Sequence, residues 1–110
     1  MKIISVINQK GGVGKTTSAI NISYSMTLLN KKILLIDIDS QGNSTSGTNT
    51  SEYIVENSSY ELINKKIKVK PLNHFELDII PSSIKLALLE KELINELSRE
   101  NFFKKCINIV

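Results

Sequence analysis

The sequence predicts an α/β domain in which helices flank a parallel sheet. Short β-branched apolar runs, at residues 3–7 and 33–37, alternate with longer segments whose apolar residues recur at helical spacing. A glycine-rich turn joins the first run directly to the first helical segment. Strand, helix and strand therefore follow one another as a βαβ unit with a right-handed crossover. Only three strands are predicted, which is few for this class, and we expect an incomplete sheet.

The first strand and the first helix enclose the glycine-rich turn. Residues 2–8 are predicted to form a strand buried on both faces, because their β-branched run is nearly continuous. That run consists of Ile3, Ile4, Val6 and Ile7. Residues 16–30 are predicted to form a helix with one apolar face. The face comprises Ala19, Ile22, Met26 and Leu29, with Ile20, Tyr24 and Leu28 at its margin.

A second strand and a short helix are predicted next. The strand runs from Ile33 to about Asp37 and leads into the polar segment 40–52, which is expected to be an exposed loop. A short helix is expected at residues 58–66. The lysine-rich segment 65–70 is either a basic patch for DNA or the solvated face of an edge strand.

The last predicted elements are a strand and two helices. The strand covers residues 75–80 and is closed by Pro81, and His74 before it is expected at the surface. A leucine stripe then predicts a core-facing helix at residues 82–97, with Ser82 or Ser83 as its N-cap. Residues 98–110 are predicted to form a final amphipathic helix.

Composition limits the possible classes of protein. The chain has 110 residues, of which 41% are hydrophobic and 23% charged, a balance typical of a globular domain. The net charge of +3 only weakly favours anionic partners. Cys106 is the only cysteine, which excludes an internal disulfide and favours a reducing cytosol. No apolar run is long enough for a membrane span. Because the final stripe runs into Val110 without a cap or polar tail, we expect residues 1–110 to be the N-terminal portion of a single domain.

The segment NQKGGVGKTT, residues 8–17, has the context of a phosphate-binding loop, between a strand and a helix. Its glycines accept positive φ and let backbone N–H groups approach phosphate oxygens, and the first helical turn adds further N–H groups. Lys15 is placed to reach the β- and γ-phosphates, and the Thr16 hydroxyl to bind Mg²⁺. The pattern G-x-x-x-x-G-K-[ST] is not met in full, because Gln9 stands at the first glycine position. The candidate nucleotide-binding residues in this loop are Gly11, Gly12, Val13, Gly14, Lys15, Thr16 and Thr17.

Two carboxylates end the second predicted strand. Asp37 and Asp39 lie at the edge where an α/β sheet presents its ligands, and their spacing places them on the same side of the strand. Both can alternatively serve as strand-end caps or turn formers.

The segments KGGVGKTT and KKILLIDIDSQGNSTSG resemble the deviant Walker A ATPases, and among them the ParA/Soj chromosome- and plasmid-partitioning proteins. The resemblance spans essentially the whole chain and implies a P-loop NTPase-like fold. It implies that Lys10 is a signature lysine, which crosses a two-fold dimer to the nucleotide of the other subunit while Lys15 serves its own. It further implies that Asp39 orients the attacking water and that Asp37 acts on Mg²⁺ through a water. The alternative for Lys10 is a solvated loop charge.

The resemblance also implies a function. Proteins of this type bind and hydrolyse ATP with Mg²⁺, form a homodimer on ATP and act in chromosome or plasmid segregation. The resemblance also implies a ParB-type centromere-binding partner and a cytoplasmic, nucleoid-associated location. It implies that nonspecific DNA is bound, mostly by regions outside this chain. Two alternatives stay open: a MinD-like membrane-associated positioning ATPase, and a truncated, non-hydrolysing nucleotide-binding remnant.

Overall fold

Three strands form one mixed sheet in the computed structural model, which describes residues 2–48, 57–65 and 68–93. The strands are β1 (Leu34–Ile36), β2 (Leu72–His74) and β3 (Leu77–Ile80), in the order β1-β3-β2. β1 and β3 are parallel, with Leu35 opposite Ile79, whereas β2 is antiparallel to β3. The α/β class is confirmed, but the sheet is mixed rather than wholly parallel.

A tight hairpin accounts for the antiparallel strand. Phe75 and Glu76 join β2 to β3, and both have left-handed backbone, with φ of 48° and 64°. Consecutive positive φ values are those of a type I′ turn, whose twist matches that of paired strands. The sequence predicts a strand beginning at residue 75, but the turn occupies that position and the strand begins at Leu77. His74, expected at the surface, is half-buried in β2, where its ring packs edge-on against Tyr24.

Among the described residues, four helical segments accompany the sheet. They are α1 (Lys15–Leu28), α2 (Asn43–Gly47), a π-helical segment (Glu61–Lys65) and α3 (Leu86–Leu93). Ser83 forms the turn that leads into α3, since its Oγ accepts a hydrogen bond from the Lys85 N–H at 3.3 Å and its carbonyl accepts one from the Leu86 N–H at 2.9 Å. The predicted helix 98–110 lies outside the described residues. Within the described ranges, no helix is long and apolar enough to cross a membrane.

The core lies between the sheet, the π-helical segment and α3. Leu77, Ile79 and Ile80 of β3 are fully buried. Ile63 packs with Leu86 and Leu89, which confirms the core-facing orientation predicted for the start of the leucine stripe. A second cluster contains Leu62, Val69 and Ile80. Val69 is buried between the exposed Lys68 and Lys70, so this part of the lysine-rich segment has a solvated face, although no strand forms there.

The predicted first strand is wrong in this structure. Residues 2–8 carry no regular secondary structure and are exposed, with Ile4 75% and Ile7 83% accessible. A strand exists only through its neighbours, and the sheet of the described residues pairs β1 with β3 and β3 with β2. Residues 2–8 have no place in that order. A β-branched run indicates that a segment is suited to a buried strand, but it does not specify a neighbouring strand for the segment to pair with.

Two further predictions need correction. The expected apolar face of α1 is only partly turned inward: Ala19 and Met26 are half-buried, but Ile22 and Leu29 are 54% and 69% exposed, and Ser23 is the buried residue of the helix. α1 instead turns the side containing Ile20 and Ser23 inward, because it packs closely on α2, β1 and β3. The polar segment expected to be an exposed loop contains α2, whose Thr45 is 1% exposed, since that threonine is hydrogen-bonded in the interior.

Candidate nucleotide-binding site

The glycine-rich loop has the backbone conformation that its sequence predicts. Gly12 and Gly14 have left-handed φ values of 69° and 85°, which residues other than glycine rarely adopt. A Cβ atom at Gly11 or Gly12 would meet nothing within 4 Å, so open space lies beside the loop backbone. Gly14 is the N-cap of α1 and supplies no side-chain cap. The loop therefore leaves room for a ligand that approaches main-chain N–H groups.

The start of α1 offers those N–H groups. Within the described residues, the first N–H after the glycines to donate within the chain belongs to Ser18, which bonds the Gly14 carbonyl at 2.9 Å. The N–H groups of Lys15, Thr16 and Thr17 precede that bond at the positive end of a 14-residue helix. An anion beside the loop would meet several donors and a favourable dipole.

Asn8 organises the loop from its other end, and sequence reasoning missed it. Its Oδ1 accepts a hydrogen bond from the Lys10 N–H at 2.9 Å, an Asx-type turn. Its carbonyl accepts a hydrogen bond from the Lys15 Nζ at 2.7 Å, and the Lys10 carbonyl lies 3.4 Å from the same nitrogen. The Lys15 ammonium is therefore held against the loop backbone. The signal that could have revealed Asn8 is an Asx residue two positions before Lys10 at a turn.

A cavity of about 330 Å³ adjoins the loop. It is lined by Gly11, Gly12, Val13, Gly14, Lys15, Thr16, Thr17, Asp39 and Asn43. The structure thus brings the seven consecutive candidate residues from the loop together with the predicted Asp39 from the end of β1. It does not bring Lys10 into this cavity, and the Lys10 side chain is exposed. Asn43, at the start of α2, is a lining residue that the sequence analysis did not identify.

Asp39 is exposed and well oriented. Its Oδ1 accepts a hydrogen bond from the Gln41 N–H at 2.9 Å, and its carbonyl accepts one from the Gly42 N–H at 2.9 Å. In the described part of the chain, no hydrogen bond is made by its other carboxylate oxygen. A carboxylate with one oxygen fixed and one free can accept a proton or a hydrogen bond from a ligand in the cavity.

Asp37 lies in a different environment. It is 5% exposed and does not line the cavity. Its Oδ2 accepts hydrogen bonds from the Thr45 N–H at 2.8 Å and the Thr45 hydroxyl at 2.7 Å. Its Oδ1 accepts a bond from the Asp39 N–H at 3.2 Å. The structure therefore gives Asp37 a capping role toward α2, and its action on Mg²⁺ stays a prediction.

The residues present fit a nucleoside triphosphate with Mg²⁺. Open space beside the glycines and the N–H groups of the first turn of α1 suit phosphate oxygens. Lys15 supplies a positive charge, and Thr16 supplies a hydroxyl oxygen of the kind that Mg²⁺ binds. Bound Mg²⁺ would neutralise charge on the phosphates. The residues that would hold the phosphates are those from Gly11 to Thr17, with Thr16 as the metal ligand.

Comparison with known proteins agrees with this geometry. Residues 1–110 match the AAA_31 family model, described as an AAA domain. The chain is 41% identical over 113 residues to the sporulation initiation inhibitor protein Soj of Bacillus subtilis, covering 99% of this chain and 45% of that protein. It is 40% identical over 112 residues to the chromosome-partitioning ATPase Soj of Treponema pallidum, covering 96% of this chain and 42% of that protein. The chain thus spans less than half the length of these relatives.

Solved structures show the same similarity. A plasmid partition protein from Borrelia burgdorferi superposes with a TM-score of 0.77 at 26% identity, over 96% of this chain and 48% of that one. A cobyrinic acid a,c-diamide synthase from Mycobacterium smegmatis, with bound ATP analogue and magnesium, gives a TM-score of 0.78 at 30% identity, over 93% and 43%. A ParA of pNOB8, bound to nonspecific DNA, gives 0.65 at 26% identity, over 90% and 39%.

Proposed function

We propose that this chain is the phosphate-binding part of an ATPase that partitions DNA, because it belongs to the AAA_31 family of AAA domains and is homologous to Soj/ParA partitioning ATPases. The observation that carries the proposal is the cavity shared by the glycine loop and Asp39. It combines groups that bind a triphosphate with a carboxylate that can act on water.

The loop residues divide the work of binding ATP. The N–H groups from Gly11 to Thr17 would hold the phosphate oxygens, and Lys15 would leave its carbonyl partners to neutralise the β- and γ-phosphates. Thr16 would ligate Mg²⁺. A solved relative with a bound ATP analogue and magnesium supports this ligand class, since it shares the fold over most of this chain.

Asp39 would orient the water that attacks the γ-phosphorus. The bond between the γ-phosphorus and the β-γ bridging oxygen breaks, ADP and phosphate are released, and the water's proton passes to a base or to solvent. The fixed Oδ1 and the free second oxygen of Asp39 support this role, because an oriented acceptor restricts the water's position.

Lys10 would act on the nucleotide of a second subunit. Its side chain is exposed and lies outside the cavity that contains Lys15, which favours a partner in trans over a role at its own nucleotide. A cation supplied across a two-fold dimer would stabilise the charge on the transferring phosphoryl group, as an arginine finger does. The homodimer formed on ATP is part of this proposal.

Partners and location follow from the same homology. We infer that the protein has a ParB-type centromere-binding partner and binds nonspecific DNA. We infer a cytoplasmic, nucleoid-associated location. The pNOB8 ParA bound to nonspecific DNA supports the DNA partner. A diamide synthase with a bound ATP analogue and magnesium shares the fold over 93% of this chain, which supports the nucleotide more strongly than the cargo.

A mixing experiment tests the proposal on the full-length protein. Lys10→Ala and Asp39→Ala should each abolish ATP turnover when assayed alone. A 1:1 mixture should recover about a quarter of wild-type turnover, because half of the dimers are mixed and each has one intact site. Lys31→Ala, an exposed lysine beyond the end of α1, is the matched control and should turn over ATP like the wild type. A wild type without turnover contradicts the ATPase, and a mixture without recovery contradicts the trans role of Lys10.

A further inference from the structure

We propose that Thr45 and Ser82 are positioning residues that fix Asp39 for hydrolysis without contacting the nucleotide; this inference rests on the proposed ATPase function. Neither residue lines the cavity beside the glycine loop. Both are 1% exposed, and they link the segment after β1 with α2 and with the segment after β3.

Thr45 is the centre of the linkage. Its N–H and its hydroxyl both donate to Asp37 Oδ2, at 2.8 and 2.7 Å. The hydroxyl proton is thereby committed to Asp37, so the hydroxyl oxygen presents its lone pairs elsewhere. One of them accepts a hydrogen bond from the Ser82 N–H at 2.7 Å, across 37 positions of sequence. Thr45 therefore fixes Asp37 and Ser82 relative to each other.

Asp39 is held by the two residues that Thr45 fixes. The Ser82 hydroxyl donates to the Asp39 carbonyl. The Asp39 N–H donates to Asp37 Oδ1 at 3.2 Å. Both main-chain groups of Asp39 are thus bound to buried side chains, and Asp39 itself lines the cavity. A displacement of Ser82 or Asp37 would move the Asp39 backbone and so the oxygen that acts on water.

The glycine turn after Asp39 lies against both Thr45 and Ser82. Gly42, which follows Asp39 in a left-handed turn with φ of 63°, lies close to both residues: a Cβ there would be 3.7 Å from the Ser82 Cβ and 3.8 Å from the Thr45 Cβ. Removing the Thr45 hydroxyl leaves the buried Ser82 N–H without that acceptor and removes one donor from Asp37. A buried polar group that loses its partner destabilises the local structure, which favours a shift that restores a partner. The expected consequence is a misplaced Asp39 with an unchanged phosphate loop.

The test compares binding with turnover in the full-length protein. Thr45→Val keeps the shape of the side chain and removes the hydroxyl. It should lower kcat by on the order of tenfold to a hundredfold, because small misplacements of a catalytic group cost that much. The Kd for MgATP should stay within about twofold, since Thr45 does not line the cavity. Thr45→Ser, which keeps the hydroxyl, should restore most of kcat.

Thr48→Val is the matched control. Thr48 is 2% exposed, and its hydroxyl donates to the main-chain carbonyls of Ser44 at 2.9 Å and Thr45 at 3.2 Å, so its removal leaves the Thr45 side-chain bonds to Asp37 and Ser82 in place. Thr48→Val should retain wild-type kcat.

If Thr45→Val fails to fold, Ser82→Ala removes only the hydroxyl that bonds the Asp39 carbonyl and should show the same loss of kcat at unchanged Kd. The proposal is overturned if kcat is unchanged in Thr45→Val. If Thr45→Val does not fold, an unchanged kcat in Ser82→Ala overturns it. Equal losses in Thr45→Val and Thr48→Val without rescue by serine also overturn it.

A second readout separates this inference from the ATPase proposal. If the wild type does not turn over ATP, the proposed function fails, and amide hydrogen exchange still measures the linkage. Thr45→Val should accelerate exchange at the Ser82 and Asp39 amides by about tenfold or more relative to Thr48→Val. Equal exchange in the two variants shows that Thr45 does not position Asp39.

Discussion

Replacing Asp37 by asparagine separates the two roles that the sequence leaves open for this carboxylate. Asparagine has nearly the same shape but offers one acceptor oxygen and one donor nitrogen. Asp37 accepts three hydrogen bonds, two at Oδ2 from Thr45 and one at Oδ1 from the Asp39 N–H. An asparagine oxygen toward Thr45 retains two of these bonds but places its NH₂ group against the Asp39 N–H.

The magnitude follows from the number of bonds affected. A hydrogen bond to a charged group contributes roughly 1.5–3 kcal/mol, and the variant loses one such bond and weakens two by removing the charge. We expect Asp37→Asn to lower the free energy of unfolding by about 2–4 kcal/mol. Urea denaturation followed by circular dichroism measures this change. Asp78→Asn is the control, because Asp78 is exposed and, among the described residues, its carboxylate accepts a hydrogen bond only from the Asn73 side-chain amide, at 2.8 Å.

The result distinguishes the capping role from the metal role. A destabilised variant whose Mg²⁺-dependent ATP affinity stays near wild type supports the role that the contacts show. A variant whose unfolding free energy matches that of Asp78→Asn refutes the reasoning. Loss of Mg²⁺-dependent affinity without destabilisation would instead favour the water-mediated metal role that the family resemblance implies.

Three further predictions concern the loop, the hairpin and pH. Gly14→Ala should lower the free energy of unfolding by about 1–2 kcal/mol, because alanine is strained at φ of 85°; a more stable variant in urea would contradict this. Glu76→Gly should raise the free energy of unfolding by roughly 1 kcal/mol, because glycine relieves the left-handed strain at φ of 64°, and a lower urea midpoint would show this to be wrong. Burial raises the pKa of Glu61, but hydrogen bonds from Ser58 and the charge of Lys85 outweigh it, so the pKa lies below its ordinary value of 4.5. The contribution of ionised Glu61 to the free energy of unfolding is therefore complete above that ordinary pKa and is lost as the pH falls through the lower pKa of the folded state. The free energy of unfolding should accordingly depend less on pH in the acid range for Glu61→Gln than for the wild type.

The parts of the site that the sequence predicts are those encoded by neighbouring residues. The loop from Gly11 to Thr17 is contiguous, and its glycines are required by local φ values of 69° and 85°. Asp39 is predictable because polar residues at the carboxyl end of a strand meet the ligand edge of the sheet. The structure brings these two together in one cavity.

The parts that the sequence does not predict depend on distant contacts. The Thr45–Ser82 bond spans 37 positions, and a threonine in a polar segment gives no local sign of burial. The β2–β3 hairpin is hidden because Phe75 and Glu76 are not residues that mark a type I′ turn. Residues 2–8 have the composition of a buried strand, but pairing needs a neighbour that composition cannot specify.

The central claim is that the backbone between Gly11 and Thr16, together with Lys15, holds a triphosphate. Isothermal titration calorimetry of the full-length protein with ATP, with and without Mg²⁺, tests it most directly. We predict Mg²⁺-dependent binding that is lost in Lys15→Ala and retained in Lys31→Ala. Absence of Mg²⁺-dependent binding in the wild type, or equal binding by Lys15→Ala, would contradict the claim.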